Sequence, residues 1–254
     1  MPRAAADLNN LKDKVVLVIN AGGVGDVGGK LAQEAASLGA KVVVSGKGGE
    51  AIDKLVKEIE LHGGRASGLA CNIADWDDQV RVFRHAVRKY GRVDVVFACA
   101  TPSEGGLDFL DEAENDFGEP KKPVLRSLQS ELAGTAYASK LAFYYLRRSS
   151  TQSIKSLVIV GSTDPFMHFA RPVHHAAQEG IREFAGALLR EGIVNAINVA
   201  YINSDAAVYT QSKRDTSKNA VDAALEAATV SLRSLDVAEL SDYYLSNTGK
   251  SGTV

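Results

Sequence analysis

The sequence is poor in features that would assign a protein to a class at once. It has only 2 cysteines in 254 residues, Cys71 and Cys99, and they stand apart without C-x-x-C or histidine spacing. Two isolated cysteines form neither a disulfide framework nor a zinc site, so we interpret both as small core residues. No run of apolar residues is long enough to span a membrane, and residues 1–10 lack a signal-like apolar segment. We therefore expect a cytoplasmic protein without a membrane partner or a metal site.

An excess of charge of one sign is also missing. The 29 Lys and Arg residues face 31 Asp and Glu residues, and the net charge is -2. Because no basic stripe is visible, the sequence argues against nucleic acid as a partner. The 45% hydrophobic and 24% charged residues are typical of a globular protein, and no linker divides the chain. We expect one domain over residues 1–254.

What is present is a regular alternation of apolar runs and amphipathic segments. Continuous Val, Ile and Leu runs suit strands that are buried on both faces of a parallel sheet, with helices between them. This pattern predicts an α/β fold with a doubly wound sheet. The predicted strands are residues 15–19, 41–45, 66–72, 93–98, 157–161 and 195–202.

A glycine cluster follows the first predicted strand, at residues 20–29, and leads into a helical pattern. A tight turn of this kind brings backbone N–H groups and the positive end of a helix close to a pyrophosphate. The same residues can also form a plain tight turn. The position between strand and helix favours a nucleotide site.

With this turn in place, residues 11–249 resemble the short-chain dehydrogenase/reductase superfamily. Gly22 and Gly28 fall on the first and last glycines of the family's G-x-x-x-G-x-G, and Asn72 falls where an acidic residue usually meets the adenine. The resemblance implies a single Rossmann-type domain with a mainly parallel sheet and a possible NADP(H) site. In that site Lys47 would be the candidate contact for a 2′-phosphate, although it can equally be a solvated lysine.

Asp26 occupies the middle glycine position of this motif. Two like charges 4 Å apart cost about 4 kcal/mol at an effective dielectric of 20, which weakens binding roughly a thousandfold. Alternatively, Asp26 caps the helix that starts at Val27, because Asp is a favourable N-cap residue. The sequence leaves open whether Asp26 repels the cofactor or caps the helix, and it therefore leaves open whether NADP(H) binds.

The family's catalytic Asn, Ser, Tyr and Lys align with Glu131, Ser162, His174 and Gln178. A shift of one residue would place His175 on the tyrosine instead. Only the serine is retained, and Gln178 would take the lysine's place beside the cofactor. The phenol and ammonium groups that serve alcohol–ketone redox chemistry are both missing, so we do not expect that reaction.

The remaining groups suit proton transfer. If the family geometry holds, His174, Ser162, Glu131 and the nearby Asp164 line one cleft, and we take these four as candidate catalytic residues. Imidazole can give and take a proton around neutral pH. The competing interpretations are a polar junction without a role for the histidines and an Asp-Pro turn for Asp164.

Three functions are compatible with this set. The first is an enzyme of specialised metabolism that cyclises, isomerises or eliminates within a bulky natural-product intermediate, by analogy with certain fungal alkaloid-pathway members of the superfamily. The second is an NADP(H)-dependent reductase of an iminium-like or carbonyl substrate, in which His174 replaces the tyrosine. The third is a non-catalytic binding subunit.

Two further departures concern the second half of the chain. The family's Pro-Gly after strand six reads Val199-Ala200, and the chain stops early enough that a seventh strand would be short or absent. Relatives use that strand in subunit contacts. A helical face at residues 134–148 could still form a homodimer or another homo-oligomer.

Overall fold

The computed structural model describes residues 11–100, 114–123, 125–149, 154–162, 172–203 and 216–229. Strands and α-helices alternate along these residues, and a π-helical segment, Leu128–Ala133, precedes the fourth helix. The elements are β1 Val15–Ile19, α1 Val27–Ser37, β2 Lys41–Gly46, α2 Gly49–Leu61, β3 Arg65–Ala70, α3 Trp76–Tyr90, β4 Val95–Cys99, α4 Gly134–Leu146, β5 Ser156–Gly161, α5 Pro172–Val194, β6 Asn198–Asn203 and α6 Thr216–Thr229.

The six strands form one parallel sheet in the order β3-β2-β1-β4-β5-β6. This confirms the predicted doubly wound α/β fold. The strand order reverses between β1 and β4, and in such sheets ligands bind outside the carboxyl ends of the strands near that point. The residues that follow β1, β4 and β5 therefore define where a site is expected.

The sixth strand corrects one prediction. Val199 and Ala200 lie inside β6 and are buried, so they do not follow the strand. The strand continues to Asn203, which pairs with Gly161 at the end of β5. The apolar pattern had already predicted a strand at residues 195–202, so the error lies in aligning Val199 and Ala200 with the family's Pro-Gly after that strand.

Each face of the sheet carries its own apolar core. One core packs the sheet against α1, α2 and α6, and the other packs it against α3, α4 and α5. Both cysteines are buried and free, as expected for core residues. Burial raises the pKa of the Cys71 thiol to about 11 and also raises the pKa of Cys99, so neither thiol is activated.

Several predictions fall outside the described residues. These are Asp164 and the C-terminal region where a seventh strand was expected to be short or absent. Within the described ranges, none of the helices is long and apolar enough to cross a membrane. The same ranges contain no cluster of His, Cys, Asp or Glu side chains suited to holding a metal ion.

Candidate active site

A set of polar side chains meets at the carboxyl edge of the sheet. Ser162 directly follows β5, and His174 and Gln178 lie four residues apart on α5, so that they share one face of that helix. Glu131 lies on the π-helical segment before α4. Three separate parts of the chain thus supply the residues that the sequence aligned with the family's catalytic positions.

Four hydrogen-bonding contacts join these residues, and we call them the His174–Glu131–Gln178 cluster. Glu131 Oε2 lies 2.8 Å from His174 Nδ1 and accepts a hydrogen bond of 2.7 Å from Gln178 Nε2. Gln178 Nε2 also donates to the Ala100 carbonyl at 3.0 Å, and Gln178 Oε1 accepts from the Ser162 N–H at 2.8 Å. The exposed fractions are 1% for Glu131, 0% for Gln178 and 9% for His174. The cluster is therefore both connected and shielded from water.

Local packing holds Glu131 in this position. Gly134, the first residue of α4, lies so close to Ile73 that a Cβ would come within 2.7 Å of Ile73 Cγ1. Gln79 on α3 donates to the Gly134 carbonyl at 2.9 Å and to the Ile73 carbonyl at 2.6 Å. A π-helical segment is frequent at functional sites. Gln79 joins the first residue of α4 to Ile73 and so fixes the start of α4.

The contact with Glu131 determines how His174 can act. An ionised carboxylate only accepts hydrogen bonds, so Nδ1 carries the hydrogen that is shared with Glu131. In the neutral ring Nε2 then carries the lone pair and is the nitrogen that can exchange a proton with a substrate. A carboxylate that holds an imidazole in one tautomer and orientation is the arrangement used by many general bases.

Gln178 differs in kind from the lysine that the family places there. Its amide is neutral, and its two N–H groups are directed to Glu131 and Ala100 inside the protein. It therefore ties the ends of β4 and β5 to α5 and to the π-helical segment. Its predicted role beside a cofactor remains a prediction, because the side chain is fully buried among these protein partners.

The glycine turn after β1 is organised around Asp26. Asp26 caps α1, as one of the two sequence interpretations predicted, and its Oδ1 accepts from the Gly29 N–H at 2.6 Å. Burial raises the pKa of this carboxyl to about 6, although hydrogen bonds from the N–H groups of Gly29, Gly23 and Asp26 itself act in the opposite direction. Of the N–H groups in this turn, that of Gly29 donates to the carboxylate and that of Gly23 donates to the Ala21 carbonyl at 2.6 Å.

The two predicted cofactor glycines are each required by contacts within the chain. Gly22 has a φ of 64°, and a Cβ on it would overlap Asp26 Oδ2. Gly28 lies against Ala21, where a Cβ would come within 2.7 Å of the Ala21 Cα. Both glycines therefore allow the turn to close on itself, and neither needs a ligand to explain it.

Comparison with known proteins establishes the family. A family model described as short chain dehydrogenase matches residues 14–237. The chain belongs to the short-chain dehydrogenase family. The chain is 30% identical over 183 residues to the short-chain dehydrogenase/reductase ascJ of Acremonium egyptiacum, a match that covers 72% of this chain and 58% of that protein. It is also 28% identical over 194 residues to 5′-hydroxyaverantin dehydrogenase of Dothistroma septosporum, covering 69% of this chain and 61% of that protein.

Solved structures agree with the fold of this short-chain dehydrogenase. A hydroxysteroid dehydrogenase from Escherichia coli superposes with a TM-score of 0.66 at 18% identity, covering 89% of this chain and 96% of that one. A short chain dehydrogenase from Mycobacterium smegmatis gives a TM-score of 0.66 at 21% identity, covering 88% of this chain and 90% of that one. At these identities the likeness concerns the fold alone.

Members of the family typically bind NAD(P)(H), so the turn can be tested against that group. A pyrophosphate bound at a helix N-terminus uses the backbone N–H groups there. In this chain the Gly29 N–H donates to Asp26 and the Gly23 N–H donates to the Ala21 carbonyl, while Asp26 Oδ2 lies against Gly22. The residues of the turn therefore do not fit a pyrophosphate in this arrangement.

Two other predicted cofactor contacts are arranged as follows. Lys47 comes directly after β2 and is exposed. Asn72 follows β3, and its Oδ1 accepts from the Ala74 N–H at 3.2 Å while its own N–H donates to Asp78 at 2.9 Å. Asn72 thus shapes the loop before α3. This local role does not require a bound cofactor.

The structure also answers which histidine faces the cluster and reveals an unpredicted neighbour. His174 contacts Glu131, whereas His175 is only partly buried and lies on the next position of α5. The Tyr201 side chain on β6 packs against Gly161, where a Cβ would overlap its phenol. Tyr201 was missed because nothing in the local pattern of β6 shows that its ring lies next to the residue before Ser162.

Proposed function

We propose that this short-chain dehydrogenase homologue is an enzyme of specialised metabolism that performs acid/base catalysis without hydride transfer, with His174 as the general acid/base. The observation that carries the proposal is the buried contact of 2.8 Å between His174 Nδ1 and Glu131 Oε2. The contact orients an imidazole at the position where relatives hold a tyrosine. We propose that the substrate is a small molecule of the bulky natural-product type. The relative named for 5′-hydroxyaverantin supports this substrate class.

The proposed step is a proton transfer within one substrate. His174 Nε2 takes a proton from an acidic C–H and returns it to another atom of the same molecule, which gives an isomer or a cyclised product of unchanged composition. In an elimination the proton goes to the leaving group instead. Ser162 supplies a hydroxyl that can hydrogen-bond the activated oxygen or nitrogen, and Asp164 remains a proposed second carboxylate. Such positioned proton transfer contributes about 10²–10⁴-fold to a rate.

Glu131 and Gln178 position His174 in this scheme. Glu131 holds the tautomer, and Gln178 holds Glu131 through the hydrogen bond of 2.7 Å. Because the lysine is replaced by a neutral amide, the cluster lacks the cation that would lower the pKa of a phenol. The set is therefore suited to an imidazole and poorly suited to the redox chemistry of relatives.

The test compares His174→Ala with His175→Ala, its neighbour on the same helix. We expect His174→Ala to lower turnover by roughly 10²–10⁴-fold with the fold intact, whereas His175→Ala changes it little. Turnover of candidate intermediates is followed by liquid chromatography coupled to mass spectrometry, without added nicotinamide cofactor. The chromatographic step separates a product from a substrate of the same mass. Equal effects of the two substitutions, or none from His174→Ala, would remove His174 from the catalytic role.

A second candidate is an NADP(H)-dependent reductase of an iminium-like or carbonyl substrate. It is favoured by the NADP-dependent mannitol dehydrogenase of Alternaria alternata, which is 27% identical over 211 residues and matches 78% of this chain. The same assay separates the two functions. A product that gains two hydrogens only when NADPH is added supports the reductase. A product formed without NADPH that has either the mass of the substrate or that mass less the leaving group supports the acid/base enzyme.

The cellular location and the oligomeric state are proposed as well. We propose a cytoplasmic protein that forms a homodimer or another homo-oligomer through α4. Tyr144 on that helix is 48% exposed, and the Arg148 guanidinium lies 3.5 Å from the centre of its ring. Exposed aromatic and arginine side chains of this kind are enriched in protein interfaces. Light scattering of the wild-type chain and of Tyr144→Glu tests this proposal.

A further inference from the structure

We infer that Asp26 occupies the place of a cofactor pyrophosphate, so that the wild-type chain binds neither NADP(H) nor NAD(H) with micromolar affinity. The inference does not depend on the proposed function. It concerns the glycine turn, while the proposed chemistry concerns His174 and Glu131, and a binding measurement tests it without any substrate.

The first argument is that the backbone donors of the turn are already used. Asp26 Oδ1 accepts from the Gly29 N–H at 2.6 Å, which is within the first turn of α1. The Gly23 N–H is used as well, because it donates to the Ala21 carbonyl at 2.6 Å. Donors at a helix N-terminus are what make it an anion site. The N–H groups of Gly29 and Gly23 are therefore already paired within the turn when a phosphate arrives.

The second argument is spatial. Asp26 Oδ2 covers Gly22 so closely that a Cβ on Gly22 would overlap it. On the other side, the Gly23 carbonyl oxygen packs against Gly29, where a Cβ would again overlap. The space beside these two glycines is therefore taken by a side chain and a carbonyl of the same turn. Both of these groups are acceptors, and neither can donate to a phosphate.

The third argument is electrostatic. A pyrophosphate in this turn would place negative charge beside the Asp26 carboxylate, which weakens affinity by roughly three decades at a separation of about 4 Å. Lys30 is the cation whose charge acts on Asp26 from α1. One lysine that already faces a carboxylate cannot also neutralise a pyrophosphate. Occupancy, shape and charge thus all act against a dinucleotide.

The experiment uses isothermal titration calorimetry on the full chain and two variants. Asp26→Gly restores the family's middle glycine, and Gly at an N-cap costs only a few tenths of a kcal/mol relative to Asp. Asp75→Gly is the matched control, because Asp75 caps α3 in the same way through the Asp78 N–H at 2.9 Å but lies outside the glycine turn. The ligands are NADPH, ADP, which carries a pyrophosphate without nicotinamide, and adenosine, which carries no phosphate.

We expect no saturation of the wild type or of Asp75→Gly by NADPH up to millimolar concentration. Asp26→Gly should bind NADPH and ADP at least 100-fold more tightly than the wild type, with adenosine unchanged. Saturation of the wild type at micromolar NADPH would overturn the inference. So would an Asp26→Gly protein that folds and gains no affinity, or an equal gain for Asp75→Gly. If Asp26→Gly does not fold, Asp26→Ala removes the same carboxylate and is held to the same outcomes.

Discussion

The glycine turn and the His174–Glu131–Gln178 cluster each hold a shielded carboxylate, and they hold it in opposite ways. Asp26 accepts from a backbone N–H only 3 residues away, whereas Glu131 contacts side chains 43 and 47 residues away. The local arrangement satisfies a carboxylate within one turn of the chain. The long-range arrangement draws distant elements together around Glu131. Similar groups thus serve a local cap in one region and a long-range connection in the other.

The first way to sharpen this comparison is to remove the amide that joins the cluster. Gln178→Leu removes three buried hydrogen bonds at once, those with Glu131, the Ala100 carbonyl and the Ser162 N–H. Removing one partner of a buried hydrogen bond costs about 1–3 kcal/mol, so we expect the free energy of unfolding to fall by about 3 kcal/mol or more. Urea denaturation followed by circular dichroism measures it.

The control for Gln178→Leu is the next residue on α5. Glu179 is partly exposed and pairs with Arg182, so Glu179→Gln should change the stability by less than about 1 kcal/mol. Equal losses for the two substitutions would mean that Gln178 does not hold the cluster together.

The second prediction concerns the other carboxylate and its pH dependence. Because the pKa of Asp26 is raised to about 6 in the folded chain from 3.8, ionisation destabilises the fold. The penalty is absent below about pH 4, grows as the pH rises towards 6 and is complete above it. Asp26→Asn keeps a favourable N-cap residue without the charge. We expect it to be more stable than the wild type by about 2 kcal/mol at pH 8 and equally stable at pH 4.

Thermal unfolding of both proteins across this pH range measures the difference. Lys30 is a charged group coupled to Asp26, and its positive charge lowers the pKa of the Asp26 carboxyl. The Cys99 thiol is also coupled to Asp26, but its raised pKa keeps the thiol neutral at pH 8. A stability difference between the two proteins that does not vary from pH 4 to pH 8 would contradict the prediction.

The third prediction has the smallest expected effects and compares Gly28 of the glycine turn with Gly134, which lies next to the cluster. A Cβ on Gly28 would lie 2.7 Å from the Ala21 Cα, which cannot move away. A Cβ on Gly134 would lie 2.7 Å from Ile73 Cγ1, which can shift more readily, and 3.0 Å from the Ile73 carbonyl oxygen. We expect Gly28→Ala to destabilise by about 2 kcal/mol and Gly134→Ala by about 1 kcal/mol. Chemical denaturation ranks them.

Gly186 on α5 is the control for these two glycines. It has nothing within 4 Å of an added Cβ, so Gly186→Ala should stabilise the chain by up to about 1 kcal/mol through helix propensity. If Gly28→Ala and Gly186→Ala changed the free energy of unfolding equally, the close contact between Gly28 and Ala21 would be contradicted.

The sequence predicted best what depends on neighbours along the chain. The apolar runs predicted six parallel strands, and Asp26 before Val27 predicted a helix cap, because strand burial and capping both follow from short stretches. The family alignment brought positions 131, 162, 174 and 178 together, which the contacts of the cluster bear out as geometry. Their chemical roles remain predictions.

What the sequence did not predict depends on contacts between distant residues. The amide of Gln178 reaches the Ala100 carbonyl 78 residues away, and no local pattern indicates such a contact. The Tyr201 ring over Gly161 was missed for the same reason. Val199 and Ala200 were placed after β6 because an alignment with the family's Pro-Gly was given more weight than the extent of the strand. Strand register is a property of the whole sheet and is not visible in one segment.

The hydrogen bond between Asp26 and Gly29 also bears on how a cell would supply this reaction. If Asp26 excludes the dinucleotide, as we infer, the protein takes nothing from the pool of reduced nicotinamide. Its flux would then follow the supply of its substrate and would not vary with the ratio of NADPH to NADP⁺.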